Sequence, residues 1–310
     1  MKVAILDLGT NTFHLMIADV FDDHSFKTIF KTRAVVKLGR GGMGENRIAE
    51  APFRKGIKTI KHFHSIIKKH RVQKVFAFAT SAIRSSINGK DFVQKVKEET
   101  GIEISVIKGD REAELIYYGI RECVPLGKNP VLLMDIGGGS TEFIIANQSK
   151  IFWKQSFNIG ASRLLEQFHP SDPITKSEIK SLENYLDEVL KPLFTAMKKY
   201  PVTKLVGSSG SFDTLAEMIG YRFYRRNVVK GKKSYPFDLD QYHSIHEWLL
   251  KSTFAMRMKT KGLIRMRVDM IVISSICTNY ILKKFPIKEM VLSKYALKEG
   301  ALFDFIRTKK

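Results

Sequence analysis

One stretch of this chain recurs. Val3-Ala-Ile-Leu-Asp-Leu-Gly-Thr-Asn-Thr-Phe-His-Leu-Met-Ile-Ala18 superposes on Val131-Leu-Leu-Met-Asp-Ile-Gly-Gly-Gly-Ser-Thr-Glu-Phe-Ile-Ile-Ala146 at one constant offset and without a gap. Asp7 falls on Asp135, Gly9 on Gly137, Thr12 on Ser140, His14 on Glu142 and Ile17 on Ile145. In each copy an apolar run enters an aspartate, a glycine-bearing turn follows, and a second apolar run leaves. Short buried strands around such a turn read as a β-hairpin. Two copies, each near the start of about half the chain, predict duplicated halves that open alike. Gly207-Ser-Ser-Gly-Ser211, after the apolar Leu205-Val206, predicts a third loop.

The turns carry chemistry. Glycine lets backbone N–H groups converge and lets a bulky anion approach. The candidate phosphate ligands are Gly9, Thr10, Asn11 and Thr12 in the first turn, and Gly137, Gly138, Gly139 and Ser140 in the second. Gly207, Ser208, Ser209 and Gly210 supply the third. Asp135 and Glu142 are hard oxygen ligands suited to Mg²⁺, and Asp7, the equivalent acid of the first copy, is the third candidate. The plainer alternative is a glycine-rich turn between two solvated acids. His14, in the place of Glu142, reads as a packed or surface histidine.

At 310 residues the chain favours two domains, and 44% apolar content supplies real cores. Met1-Lys2 leads directly into a strand, so no leader is expected. The longest apolar stretch, Met270 to Leu282, is interrupted by Ser274, Ser275, Thr278 and Asn279, too short and polar to span a bilayer. Cys123 and Cys277 have no metal-like spacing and fit a reducing cytoplasm. The net charge of +21 predicts attraction to polyanions. It is concentrated: Arg222 to Arg267 holds twelve Lys or Arg against three Asp or Glu. The candidate polyanion-binding face comprises Arg225, Arg226, Lys230, Lys232, Lys233, Lys259, Lys261, Arg265 and Arg267. Ordinary solvated surface is the alternative. No nucleic-acid recognition motif accompanies the charge, so nucleic acid is not expected.

Between the repeats the chain alternates. Lys27 to Leu38 reads as strand and Gly39 to Gly44 as a loop. Phe53, Ile57, Ile60, Phe63 and Ile67 recur at helical spacing. Val75 to Ala79 is a buried strand ending in a polar loop that carries Arg84. Asp91 to Glu99 is a helix, Ile102 to Ile107 a strand, and Arg111 to Ile120 a helix with Asp110 as N-cap. Prolines and glycine in Cys123–Pro130 mark the boundary between domains at 1–125 and 126–310. Beyond it, Ile151 to Phe157 is a strand. Thr175-Lys-Ser-Glu178 is a capping box opening one helix through Leu193. Gln241–Lys251 and Val268–Lys283 read as helices and Glu289–Leu292 as a strand. A final helix, about 296–307, is expected to pack back on the first domain. This is α/β grammar.

Glu112 stands in the first turn of its helix, where the dipole favours a negative charge. A carboxylate there can deprotonate an attacking water; it can equally serve only the helix. Arg84 offers a guanidinium suited to a phosphate oxygen, or a plain loop arginine.

Five motifs stand in order: Asp7-Leu-Gly-Thr-Asn-Thr-Phe-His14, Ala79-Thr-Ser-Ala-Ile-Arg84, Ile107-Lys-Gly-Asp-Arg-Glu-Ala113, Asp135-Ile-Gly-Gly-Gly-Ser-Thr-Glu142 and Gly207-Ser-Ser-Gly-Ser211. Over essentially its whole length the chain resembles the exopolyphosphatase and guanosine pentaphosphate phosphohydrolase family, of the actin, hexokinase and Hsp70 superfamily. The resemblance implies two ribonuclease-H-like (actin-like ATPase) domains with an interdomain cleft. It places the family's catalytic glutamate on Glu112, its metal-associated acids on Asp135 and Glu142, and its phosphate-contacting arginine on Arg84. The chain departs from the family pattern at Gly39-Arg-Gly41, where an acid is usual, and carries Leu297-Lys-Glu-Gly300 near its end. It resembles a short form without the additional C-terminal helices of longer members.

The expected function is Mg²⁺-dependent hydrolysis of terminal phosphate from inorganic polyphosphate, with guanosine pentaphosphate as second substrate. An actin-fold kinase would share both hairpins but not need Glu112; a non-catalytic polyanion-binding protein would need none of the acids. A homodimer remains open.

Overall fold

Apolar runs on both sides of each repeated turn give two sheets with one plan. The computed structural model describes residues 1–42 and 44–308; Met43, in the expected loop at 39–44, lies outside them. The chain divides into two compact units, Met1–Gly119 with Leu297–Lys310, and Ile120–Ala296.

In unit 1, β1 (Lys2–Leu8), β2 (Thr12–Val20) and β3 (Phe26–Val35) form an antiparallel meander. After α1 (Glu50–Lys69), β4 (Lys74–Ala79) pairs parallel to β1. The short α2 (Ser81–Ser85) and α3 (Gly89–Thr100) precede β5 (Ile104–Val106), parallel to β4, and α4 (Gly109–Arg121) follows. The sheet order is β3-β2-β1-β4-β5. The periodic residues of α1 are its buried face: Ile57, Ile60, Phe63 and Ile67. Phe92 of α3 meets Phe13 and Phe53 edge-on in the same core.

In unit 2, β6 (Val131–Ile136), β7 (Thr141–Ala146) and β8 (Ile151–Phe157) repeat the meander. Then come α5 (Ala161–Phe168), α6 (Lys176–Val189), α7 (Lys191–Lys199), β9 (Lys204–Ser208) and α8 (Ser209–Tyr224). They are followed by β10 (Ser234–Phe237), α9 (Leu239–Lys251), α10 (Phe254–Met258), α11 (Ile271–Lys284) and β11 (Glu289–Ser293). The order is β10-β11-β9-β6-β7-β8, with β6, β9 and β11 parallel. Read from β8, its first five strands follow the order and sense of unit 1; β10 is added at the far edge. The repeat is also kept in register, since Asp7 pairs with His14 as Asp135 pairs with Glu142.

After β11 comes α12 (Leu297–Thr308), which packs in unit 1. Gly300 lies so close to α4 that a Cβ there would sit 1.7 Å from the Leu115 carbonyl oxygen. Phe303 meets Phe26, Phe305 meets Phe76, and Asp304 pairs with Arg111. Buried Glu299 accepts from Lys31 Nζ at 3.1 Å. Among the described residues no helix is long and apolar enough to cross a membrane.

Several local expectations are corrected. Arg84 lies in α2 rather than in a loop, because Ser81–Ser85 coils into one short helix directly after β4. Asp110 is inside the first turn of α4 rather than its N-cap. The helix expected to run through Leu193 breaks at Leu190; Pro192, in the first turn of α7, cannot supply the hydrogen bond that would continue α6. The third loop is no loop: β9 runs to Ser208 and α8 starts at Ser209.

The capping box at Thr175 is present. Glu178 accepts from Ser171 Oγ (2.6 Å), Thr175 Oγ1 (2.7 Å) and the backbone N–H groups of both residues. These donors, the Ser171 hydroxyl foremost, hold its carboxyl down to about 2. The folded value lies below the unfolded one, so the stabilisation is complete above the ordinary glutamate range and is lost as pH falls toward 2. Urea midpoints followed from neutral pH to about pH 3 should fall less steeply in Glu178→Gln than in wild type. Parallel curves would show that the cap does not titrate with folding.

Candidate functional site

Register places a polar row across the sheet of unit 2. Ser208 on β9 pairs with Asp135 on β6, Asp135 with Glu142 on β7, and Glu142 with Ser156 on β8. Laterally paired residues project from the same face. Ser208 Oγ donates to Asp135 Oδ2 at 2.6 Å, and Ser156 Oγ to Glu142 Oε1 at 2.7 Å. Ser209 Oγ donates to both Asp135 oxygens, at 2.7 and 2.8 Å. Both acids are buried, at 5% and 1% exposure. Ser209 holds its position in the left-handed region, φ 66°, a strain of about 1–3 kcal/mol of the kind concentrated at functional sites.

The second glycine turn is braced from behind. Gly137 N–H donates to Ser140 O at 3.0 Å, as Gly9 N–H donates to Thr12 O at 3.2 Å in the first turn. The N-terminus of α5 takes up the turn's carbonyls: Ala161 N–H donates to Gly137 O, and Ser162 and Arg163 N–H to Gly138 O. Arg163 Nε donates to Gly139 O at 3.0 Å. Among the described residues the N–H groups of Gly138 and Gly139 meet no protein acceptor. Carbonyls tied down and amides left over make an anion cradle. Gly160 allows this approach, since a Cβ there would lie 2.5 Å from Gly138 and Gly139 backbone atoms.

At the third stretch, Gly207 is a ladder residue of β9 whose missing Cβ leaves room for the Phe212 ring. Ser208 and Ser209 are committed to Asp135. Gly210 is covered by the guanidinium of Arg267, which donates from Nη1 to Thr214 Oγ1 at 3.0 Å. Arg267 is thus half-buried at the start of α8 and does not belong to an exposed face. The other eight basic candidates, Arg225, Arg226, Lys230, Lys232, Lys233, Lys259, Lys261 and Arg265, are exposed. They border α8: Gly262 abuts the backbone of Glu217 at its middle, and Arg225 and Arg226 follow its end. Arg257, nearby in sequence, is instead a buried structural arginine bonded to Asp172, Ser252 and Val268.

In unit 1 the matching row is Phe78, Asp7, His14 and Arg33. Asp7 and His14 are half-buried, and Arg33 is exposed. The first turn is backed differently: Asn11 O accepts from the N–H groups of Val36 and Lys37. Glu112, in the first turn of α4, is 6% exposed. Arg84 Nη1 donates to Glu112 Oε2 at 2.8 Å and to Ile107 O at 3.0 Å. Arg84 therefore serves the glutamate first; among the described residues its Nη2 and Nε edge has no protein partner and can still receive a phosphate oxygen. The buried Ser81 hydroxyl is likewise unsatisfied.

Among the described residues no three His, Cys, Asp or Glu side chains form a metal cage. Asp135 and Glu142 together are a two-carboxylate site. Such a site fits Mg²⁺, which keeps several waters and is commonly held by one or two carboxylates plus substrate phosphates.

Sequence reasoning missed Gly160, Arg163 and Ser156, and set Arg267 on the wrong surface. The Gly160-Ala-Ser162 run of small residues after a strand was the available signal.

The family model for the Ppx/GppA phosphatase family matches residues 16–309. Exopolyphosphatase 1 of Mycobacterium tuberculosis is 25% identical over 303 residues, 97% of this chain and 87% of its own. A bifunctional 3-dehydroquinate synthase/phosphatase of Fusobacterium nucleatum is 30% identical over 317 residues, 99% of this chain and 47% of its own. The solved structure of an exopolyphosphatase from Cytophaga hutchinsonii superposes with TM-score 0.96 and 38% identity, covering 99% of this chain and 98% of that one. The Aquifex aeolicus Ppx/GppA family member gives TM-score 0.83 and 26% identity, covering 100% and 99%.

If the braced turn is an anion cradle, Gly160→Ala should weaken binding of inorganic phosphate by about tenfold or more, since displacements of an ångström cost up to about a hundredfold. Calorimetric titration with phosphate measures this, with circular dichroism to verify folding. Unchanged phosphate affinity in the folded variant would remove the cradle assignment.

Proposed function

The chain belongs to the Ppx/GppA phosphatase family, and on that premise we propose that it releases terminal phosphate from inorganic polyphosphate by Mg²⁺-dependent attack of water, with Glu112 as general base. The reaction class is phosphoanhydride hydrolysis, on a two-domain actin-like α/β fold.

The observation that carries the reading is the buried Glu112 held by Arg84. A charge-assisted bond fixes one carboxylate oxygen and with it the direction of the other. A general base needs that fixed position to meet a water. A kinase would direct such a base at its acceptor hydroxyl instead of a water, so phosphoryl transfer to an added acceptor is what separates the two classes. The unused edge of Arg84 and the Gly138–Gly139 amides supply donors for phosphate oxygens. Thr10, Asn11 and Thr12 are assigned the same task in the first turn. Asp135 and Glu142 would hold the metal, which when bound offsets charge on the transferring phosphoryl group; Asp7 is the equivalent acid of unit 1. The cations along α8 favour a long anion over a nucleotide, because they extend well beyond the Asp135 end of that helix. Guanosine pentaphosphate presents the same anhydride and is the second reading.

Phosphate release should be measured with polyphosphates of several lengths, guanosine pentaphosphate and ATP. We expect the highest kcat/KM on polyphosphate. Preference for guanosine pentaphosphate would reassign the substrate, and phosphoryl transfer to an added acceptor would reassign the class. Glu112→Gln keeps the shape and should lower turnover by about a hundredfold or more; wild-type turnover would remove the base assignment.

Asp135→Asn and Glu142→Gln each delete an anionic ligand. Both should raise the Mg²⁺ concentration needed for half-maximal activity. Identical Mg²⁺ titrations for wild type and both variants would place the metal on other residues.

A further inference from the structure

The last turn of α8 presents aromatic rings to water. Phe223 and Tyr224 are 41% and 47% exposed. Exposed Arg222, Arg225 and Arg226 flank them, and exposed Lys230, Lys232 and Lys233 follow in the next turns. The exposed acids of the adjoining β10–α9 connection are Asp238 and Asp240.

This surface is built rather than loose. Arg225 takes the left-handed position that ends α8, and Arg226 N–H closes back on Gly220 O at 3.3 Å. Val229 is buried beneath the turn, and its N–H donates to Asn227 Oδ1. The Tyr224 hydroxyl accepts from Gln241 Nε2 at 2.9 Å, which anchors the phenol by its edge. The Arg222 guanidinium lies 5.9 Å from the Phe223 ring centroid.

Cations alone would suffice for polyphosphate, which has no apolar face to cover a ring. Nor does a nucleotide held at Ser209 account for the aromatics: sixteen helical residues separate the ends of α8, about 24 Å at the helical rise. Two exposed rings among cations match a ligand that carries phosphates and flat bases together. Unstacked bases on aromatic side chains, with the backbone tracked by positive charge, are the recurring mode for single strands.

We propose that this end of α8 binds single-stranded nucleic acid, with bases on Phe223 and Tyr224 and phosphates against Arg225, Arg226, Lys230 and Lys232. The proposal uses neither the acids nor the glycine turns; it shares the cations along α8 with the polyphosphate reading, and the two rings are what separate the ligands in the test.

The test is fluorescence anisotropy of the full chain with a labelled single-stranded oligouridylate of about twenty nucleotides, over a range of salt. Wild type should bind, and more weakly as salt rises. The F223A/Y224A double variant should lose at least about tenfold in RNA affinity, the loss of two stacked bases. Its binding to inorganic polyphosphate of matched charge, and its phosphate release from a short oligophosphate, should be unchanged, which also shows that it is folded. R225A/R226A should weaken RNA and polyphosphate alike and flatten the salt dependence. The proposal fails if wild type does not bind the RNA at low salt, or if F223A/Y224A keeps wild-type RNA affinity. It fails equally if that variant loses RNA and polyphosphate in proportion. Tighter binding to phosphatidylserine–phosphatidylcholine vesicles than to RNA, lost with the same two rings, would make the surface a membrane contact instead.

Discussion

Asp135 and Glu142 face each other across the β6–β7 ladder, enclosed by apolar strands, and much of unit 2 serves to keep two carboxylates there. Like charges directly opposite on a sheet repel, and burial removes the water that would soften the repulsion. Serine hydroxyls take over part of that work. Ser208 and Ser209 donate to Asp135, and Ser156 to Glu142. Ser209 reaches its place only through a left-handed backbone at the β9–α8 junction. The same positions in unit 1 hold Phe78, Asp7, His14 and Arg33, so one scaffold carries two charge patterns. The half with paired acids is suited to a hard cation; its counterpart has a histidine where the second acid would stand.

The hairpins and their equivalence were legible because apolar runs and glycines are local signals, and a constant offset cannot arise from composition. Glu112 was legible as a first-turn residue, although its partner was not: nothing in the spacing of Arg84 and Glu112 says that they touch. α2 and α5 escaped because five and eight residues are too few for a helical period to declare itself. α8 shows no clean stripe in the sequence, since seven of its residues are buried around much of its circumference. The break before α7 was readable in Pro192 but masked by Leu193, which keeps the apolar spacing. The β9–α8 junction was invisible, because serine in the left-handed region is against its own preference and is imposed by the surroundings.

Charge was read as a sum, and the fold distributes it. Arg257 and Arg267 contribute to the count of twelve between Arg222 and Arg267, yet one is buried among carbonyls and Asp172, and the other lies over Gly210. Both are held by groups that need a planar, multiply donating cation. The remaining exposed cations border α8, whose N-terminal end adjoins Asp135. A helix whose positive dipole end meets the acid row, and whose sides carry cations, extends a favourable potential for anions away from the site.

The return of α12 to unit 1 has a bearing on synthesis. Unit 2 is an uninterrupted segment, whereas unit 1 is written in two pieces with all of unit 2 between them. On the ribosome, the strands of unit 1 emerge first but wait for the helix that brings Gly300 against α4, Phe305 onto Phe76 and Glu299 to Lys31. Domains ordinarily fold in the order in which they are translated. Here the second-made unit can close first, leaving the earlier one with an apolar flank to be sheltered until α12 arrives.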